Sequence, residues 1–310
     1  MLSRLPRKHY AAYGLICLIW GSTWGAIRLV VRDVPPLLAA AVRFFFAAVL
    51  LVLIATIRIG RPSLSSRQWL SLAVLGITMM ALPYGLLFWA EYRITSSLTA
   101  ILFSSCPLFV ALFTPLLSQT RVPRRAVFAM LIALGGISAL FYTELYASSD
   151  LLLGGGAVML AVIVSGWSSV FAKRELADVN PVWGTAVQFC VSAVALGVGS
   201  LMLEHDRPAD WNQTSILALA FLTIFGSVIA FSVYYWLLRS LHAYKLSTTN
   251  LVVPIVATAE GALLLQERVP LVMAGAAVVV LVSVVIVLRA DDDRAPTLNL
   301  DAPSMGIEDE

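Results

Sequence analysis

Two formal charges, Arg43 and Glu260, stand inside long apolar runs of this 310-residue sequence. A charge at membrane depth costs on the order of 2.5–3.5 kcal/mol, so such residues persist where they have a partner or a task. At roughly 1.5 Å of helix per residue, Arg43, about seven residues from the end of its run, and Glu260, about six from the end of its own, both sit about 10 Å deep. Opposite charges at one depth can open and close as an ion pair, which is chemistry for gating and for proton coupling. The plainer reading of Arg43 is a side chain that snorkels to the surface, and of Glu260 a locally hydrogen-bonded structural residue. A second group is Trp20, Gly21, Ser22, Thr23, Trp24 and Gly25. Tryptophan supplies a flat apolar wall with one donor, and small residues let a ligand or a helix come close to the backbone. Trp167, Ser168 and Ser169 are their counterpart further on. Pro107 and Pro254 each remove a helical hydrogen bond, with Ser104 and Ser105 shortly before the first and Asn250 before the second. The candidate substrate-binding set is therefore Trp20, Ser22, Thr23, Trp24, Ser105, Trp167, Ser169 and Asn250. Arg43, Glu260, Pro107 and Pro254 form the candidate coupling and gating set. Ordinary small-residue helix packing is the competing account of these positions.

Other chemistry lacks its residues. Cys17, Cys106 and Cys190 sit apart in apolar runs, without metal-ligand spacing. His9, His205 and His242 are too scattered for a metal set or a catalytic triad, and Gly154–Gly156 lacks the Gly-Lys-Ser/Thr that would make a P-loop. No catalytic, metal or cofactor site is expected. The net charge of +3 gives no sign of a nucleic-acid partner.

The elements that must position these residues are membrane helices. The chain is 60% hydrophobic and 13% charged, with a mean hydropathy of +0.89, whereas a soluble domain is nearer half apolar and a quarter charged. Apolar runs of about 20 residues recur along it, without the period-2 alternation of a barrel. The runs mark ten spans, at 11–31, 37–57, 69–90, 95–118, 124–142, 151–171, 181–202, 215–237, 245–266 and 270–289. The first is too long for a signal peptide and lacks a cleavage site. Residues 1–10 form a short basic N-terminus, and the acidic stretch 290–310 reads as a disordered tail. With the N-terminus in the cytoplasm, 15 Lys and Arg fall on inside segments and 5 on outside ones, Arg43 aside. This bias places both termini inside.

The chain also repeats itself. Shifted by 147 positions, Pro254 falls on Pro107, Leu263-Leu264 on Leu116-Leu117, Gln266-x-Arg-Val-Pro270 on Gln119-x-Arg-Val-Pro123, Trp236 on Trp89 and Trp167-x-Ser169 on Trp20-x-Ser22. Residues 34–44 match 179–189 at a shift of 145. Neither charge repeats, since Arg43 maps on Gln188 and Glu260 on Phe113. The expected fold is an all-α integral membrane protein of ten transmembrane helices. It divides into a first five-helix repeat, 11–142, and a second, 151–289. Five spans per unit invert the second relative to the first, a plan that recurs in secondary transporters. Trp20-Gly-Ser-Thr-Trp24, Pro36 with Arg43-Phe44, Pro107, and Pro254 with Gln266-Glu267-Arg268 resemble the drug/metabolite transporter superfamily, EamA type. That resemblance spans about residues 10–290 and implies a ten-helix transporter of small metabolites, often an exporter of amino acids or related compounds.

The function expected is transport of a small polar metabolite, an amino acid or relative, outward across an inner membrane. A proton or an exchanged solute would drive it, in a monomer or weak homodimer. The alternative is an intramembrane enzyme acting on a lipid or prenyl substrate, for which the spans offer no Asp-rich pair, His cluster or Ser/His dyad. Reporter fusions should place both termini in the cytoplasm and the loop at 145–150 outside. A periplasmic C-terminus would overturn both the orientation and the inversion.

Overall fold

The computed structural model describes residues 6–118, 120–140, 151–265 and 271–290. Among the described residues the chain is helical throughout, without a strand. The helices are α1 (Arg7–Val31), α2 (Pro36–Arg58), α3 (Ser66–Arg93), α4 (Ser96–Phe103), α5 (Cys106–Leu117), α6 (Arg124–Leu140), α7 (Leu151–Glu175), α8 (Pro181–Leu203), α9 (Gln213–Ser240), α10 (Ala243–Leu246), α11 (Thr249–Leu265) and α12 (Leu271–Arg289). Seven stretches of described residues are long and apolar enough to cross a membrane: α1, α2, α3, α7, α8, α9 and Leu98–Leu117. Helices α6, α11 and α12 lie over the other three spans expected from sequence. The acidic tail, the loop at 145–150 and the Gln266–Pro270 motif lie outside the described residues.

Local chemistry sets the helix starts. Ser65 caps α3 in a reciprocal box with Gln68, Thr95 caps α4, Asn180 caps α8 and Asn212 caps α9. Each side chain accepts from an N–H that the first helical turn leaves unpaired. Helix α2 begins with Pro35-Pro36 and no side-chain cap of its own. The Glu204 carboxylate, at the end of α8, supplies one instead, accepting from Leu37 N at 3.0 Å and Leu38 N at 3.1 Å. A negative group there also complements the positive end of the helix dipole.

Two long helices contain π turns, α3 at Gly76–Ala81 and α9 at Leu222–Ile229. The fourth expected span is interrupted at Ser104–Ser105, so Pro107 opens α5 as an N-terminal proline instead of kinking a continuous helix. The ninth is interrupted after Leu246, and Pro254 does sit inside α11. Many boundaries recur at the 147-residue shift. The caps Ser65 and Asn212, the last residues Arg93 and Ser240, and the starts Ser96 and Ala243 are each that far apart, and the π turns overlap under it.

Packing follows the same correspondence. Helix α1 packs on α9 and α11, as α7 does on α3 and α5; α6 packs on α12. Helices α2 and α8 pack on each other, and Phe44 stacks on Phe189, its counterpart at the 145 shift, with centroids 4.8 Å apart. Both rings are fully buried.

Close approach depends on specific glycines. A Cβ at Gly166 would lie 2.8 Å from Phe109 Cβ and 3.2 Å from backbone atoms, whereas one at Gly25 meets nothing within 4 Å. Overpacking of a fitted interface costs about 1–3 kcal/mol. Gly166→Ala should therefore lower the thermal unfolding midpoint clearly, while Gly25→Ala leaves it unchanged or raises it.

Candidate functional site

A cavity lies at the centre of the bundle. Helix α1 contributes Trp20, Thr23, Trp24 and Ile27; α3 contributes Met79, Tyr84 and Leu87. Ala100, Phe103 and Cys106 come from α4 and α5, Ser165 and Ser169 from α7, and Phe231 and Tyr234 from α9. Ser247, Asn250 and Val253 complete it from the start of α11 and the break before it. Space open to the centres of water molecules is about 80 Å³, several times the roughly 10–15 Å³ that one water needs.

The wall is aromatic. Trp20 lies 5.5 Å from Phe231 and 5.6 Å from Tyr234, Trp24 5.9 Å from Phe103, and Tyr84 6.0 Å from Phe231, centroid to centroid. Hydroxyls punctuate it. Tyr234 Oη donates to Ser169 Oγ at 3.3 Å, while Thr23 and Ser169 donate to carbonyls of their own helices. The indole N–H groups of Trp20 and Trp24 are buried without a hydrogen-bond partner. Among the described residues, none of the lining side chains carries a formal charge.

Five pairs in the lining are 147 residues apart: Tyr84 and Phe231, Leu87 and Tyr234, Ala100 and Ser247, Phe103 and Asn250, Cys106 and Val253. The symmetry fails at α1 and α7. Trp20 and Trp24 line the cavity, whereas their counterparts Trp167 and Phe171 stack on each other at 4.8 Å and do not.

Arg43 sits one layer behind this wall, 1% exposed. Its Nε donates to Ser227 Oγ at 2.8 Å, in the π turn of α9. Its guanidinium carbon lies 5.0 Å from the Tyr84 ring centroid, 5.4 Å from that of Phe44 and 5.9 Å from that of Phe88. Its Nη1 has no partner. Burial among rings replaces the snorkelling reading. The equivalent Gln188 is closed off, accepting from Tyr235 Oη at 2.6 Å and donating to Gly184 O.

Both ends of the bundle are latched. At the end opposite the N-terminus of α1, Arg28 donates to the carbonyls of Glu91 and Ile94. Beside it the Glu91 side chain is fully buried, its Oε2 accepting from Ser96 Oγ and its Oε1 without a partner. At the N-terminal end Lys173 donates to the carbonyls of Leu238 and Arg239, and Arg239 to those of Ala177 and Val179. Leu238 is 147 residues from Glu91, whereas the counterpart of Arg28 at that shift is Glu175, two residues beyond Lys173, so the two latches are similar contacts made by neighbouring, not equivalent, positions.

Of the residues singled out by sequence, Trp20, Thr23, Trp24, Ser169 and Asn250 come together in the cavity. Ser22 and Ser105 instead donate to Leu18 O and Leu102 O, and Trp167 packs on Phe171. Pro107 follows Cys106 at the cavity edge, and Pro254 follows Val253. Glu260 belongs to α11, but its side chain, and so its meeting with Arg43, lies outside the described residues. Sequence reasoning missed Tyr84, Phe231 and Tyr234, which read as ordinary apolar-run aromatics until the repeat pairs them. It also missed Glu91, which reads as an interfacial acid beside Arg93.

The model of the EamA-like transporter family matches residues 10–142 and again 152–289. The chain is 28% identical to an uncharacterized transporter, YoaV, of Bacillus subtilis, over 82% of this chain and 87% of that one. It is 29% identical to an uncharacterized inner membrane transporter, YedA, of Escherichia coli K12, over 81% of each, and 26% identical to protein PagO of Salmonella typhimurium, over 78% and 80%. A solved crystal structure with 18% identity covers 91% of this chain and 96% of its own, with a TM-score of 0.74, and shares the fold.

The cavity has a built-in reporter. Cys106 lines it, Cys17 is buried elsewhere and Cys190 lies on the exposed side of α8. With Cys17 and Cys190 replaced by Ala, a small methanethiosulfonate should label Cys106, and Ala100→Trp, which fills the cavity, should slow that labelling. Equal rates with and without the tryptophan would show that the reagent reaches Cys106 by another route.

Proposed function

The chain belongs to the EamA-like transporter family and is a multi-pass membrane protein, and from that premise we propose that it exports a small polar metabolite, an amino acid or related compound, by alternating access. The observation that carries this reading is the central cavity, ten of whose lining residues correspond pairwise at the 147-residue shift. Ten spans in two inverted five-helix units give such a cavity two equivalent exits. The 147-residue recurrence of caps, π turns and lining residues supports that arrangement. The two latches, Arg28 on α3 and Lys173 on α9, are suited to open one at a time. Each is a cation on helix carbonyls, which are the negative end of the helix dipole.

Departure from symmetry at α1 and α7 fits the same mechanism. Two halves in identical conformations would open to both sides or to neither, so an alternating transporter holds its halves in different shapes. Trp20 and Trp24 on the wall, with Trp167 and Phe171 away from it, are that difference in this state. The location is an inner membrane, like that of the Escherichia coli inner membrane transporter YedA, with both termini cytoplasmic. A proton or a counter-solute supplies the energy, and Arg43 and Glu260 are the charges at depth through which coupling would act. The transporter reading is preferred to an enzyme of lipid substrates because the family and its named relatives are transporters.

Proteoliposomes test this directly. Loaded with a panel of labelled amino acids, they should release at least one faster than protein-free liposomes, and an imposed pH gradient or external counter-solute should change the rate. No flux above protein-free liposomes for any panel member would remove the proposed amino-acid substrate.

A further inference from the structure

This inference rests on the transporter reading and names the chemistry of the cargo. We propose that Arg43 is the anion subsite of the central cavity, reached beneath Tyr84, and that the substrate is a carboxylate on an apolar body of aromatic size.

Arg43 is a fully buried cation, and among the described residues no carboxylate lies within ion-pair distance of it. A guanidinium has five N–H donors. Among the described residues, the hydrogen bond seen is from Nε to Ser227, and Nη1 is buried without a partner. Three ring faces offset part of the cost, but a buried charge with no counter-charge among the described residues remains the expensive state. Such a group is a standing demand for an anion. The equivalent Gln188 shows the contrast, neutral and engaged at both ends of its amide by Tyr235 and Gly184.

The path from cavity to guanidinium is one side chain deep. Tyr84 belongs to the lining and, on the other side, covers Arg43 at 5.0 Å. Thr23, also in the lining, meets Arg43 at Gly226. A Cβ on that glycine would lie 2.9 Å from Thr23 Cγ2 and 3.2 Å from Arg43 Nη2. The missing side chain lets the cavity wall and the cation come together. A turn of the Tyr84 ring would bring the guanidinium to the cavity.

The rest of the lining specifies the body of the solute. It is built of Trp20, Trp24, Tyr84, Phe103, Phe231 and Tyr234 with a few hydroxyls and Asn250. A lone cation finds no acid among the described lining residues and is repelled by Arg43 through a low-dielectric wall. A carboxylate finds a charge-assisted donor set, supplemented by the unpartnered indole N–H groups of Trp20 and Trp24.

The test uses three probes that share a phenyl ring: 3-phenylpropionate, L-phenylalanine and 2-phenylethylamine. Each is titrated onto the purified full-length protein while the thermal unfolding midpoint is followed. A ligand that binds the folded state raises that midpoint in proportion to its saturation. The two carboxylates should raise it and the amine should not, a comparison that needs no variant. Arg43→Gln should weaken the apparent affinity for 3-phenylpropionate about tenfold or more, and Arg43→Lys should restore part of it. The proposal is overturned if the amine stabilises as well as the acid, if Arg43→Gln responds as the unmutated protein does, or if none of the probes shifts the midpoint. In that last case, flux of other panel solutes in proteoliposomes would leave the transporter reading standing.

Discussion

Every backbone N–H and C=O within a bilayer must find its partner inside the protein, because the hydrocarbon offers none. This chain breaks its helices in several places, and that constraint governs how each break is closed. The start of α2 is satisfied from a distance by the Glu204 carboxylate. The end of α3 is satisfied by Arg28, and that of α9 by Lys173. The charged side chains at the bundle ends thus serve backbone groups of neighbouring helices, and in doing so they tie helix to helix across the rim of the cavity. Structural closure and access to the centre rest on the same few contacts.

The second constraint is the cation in the middle. Arg43 is held by rings from its own helix and from α3 and by a hydroxyl from α9. Helices α3 and α9 are also the ones that carry π turns and supply Tyr84 and Phe231 to the lining. Any movement of α3 or α9 therefore changes both the cavity wall and the surroundings of the charge. Coupling between an occupant of the cavity and the shape of the bundle needs no long chain of intermediates here, because one tyrosine belongs to both.

Much of this was legible in the sequence, for physical reasons that can be named. Long apolar runs disclose membrane helices because the bilayer tolerates little else, and the seven stretches long enough to cross agree with the expected runs to within a few residues. The duplication was legible because prolines, caps and tryptophans do jobs that few other residues can do, and so they recur at a fixed shift. Trp20, Thr23, Trp24 and Asn250 were found from these signals. Trp167 shows where the reasoning ends. Sequence correspondence carries a residue to its equivalent place on a helix, but local packing decides which neighbours it meets there, and Trp167 meets Phe171. The cage around Arg43 was beyond reach for another reason. Tyr84 and Ser227 lie far from it along the chain, and nothing in a single sequence says which helices touch.

The π turns of α3 and α9 have a rotational consequence. A π turn holds one residue more than the α turn it replaces, so the helix beyond it is turned by about 100° from its regular course. In α3 this offset lets Met79 within the turn and Tyr84 and Leu87 beyond it look onto the same space. In α9 it brings Ser227 to the guanidinium and Phe231 to the wall. Relaxing either turn to α geometry would swing one half of the helix against the other like a wrist, leaving the ends fixed while a new set of side chains comes round. Each of these helices thus carries a second face in reserve, encoded by a single surplus residue.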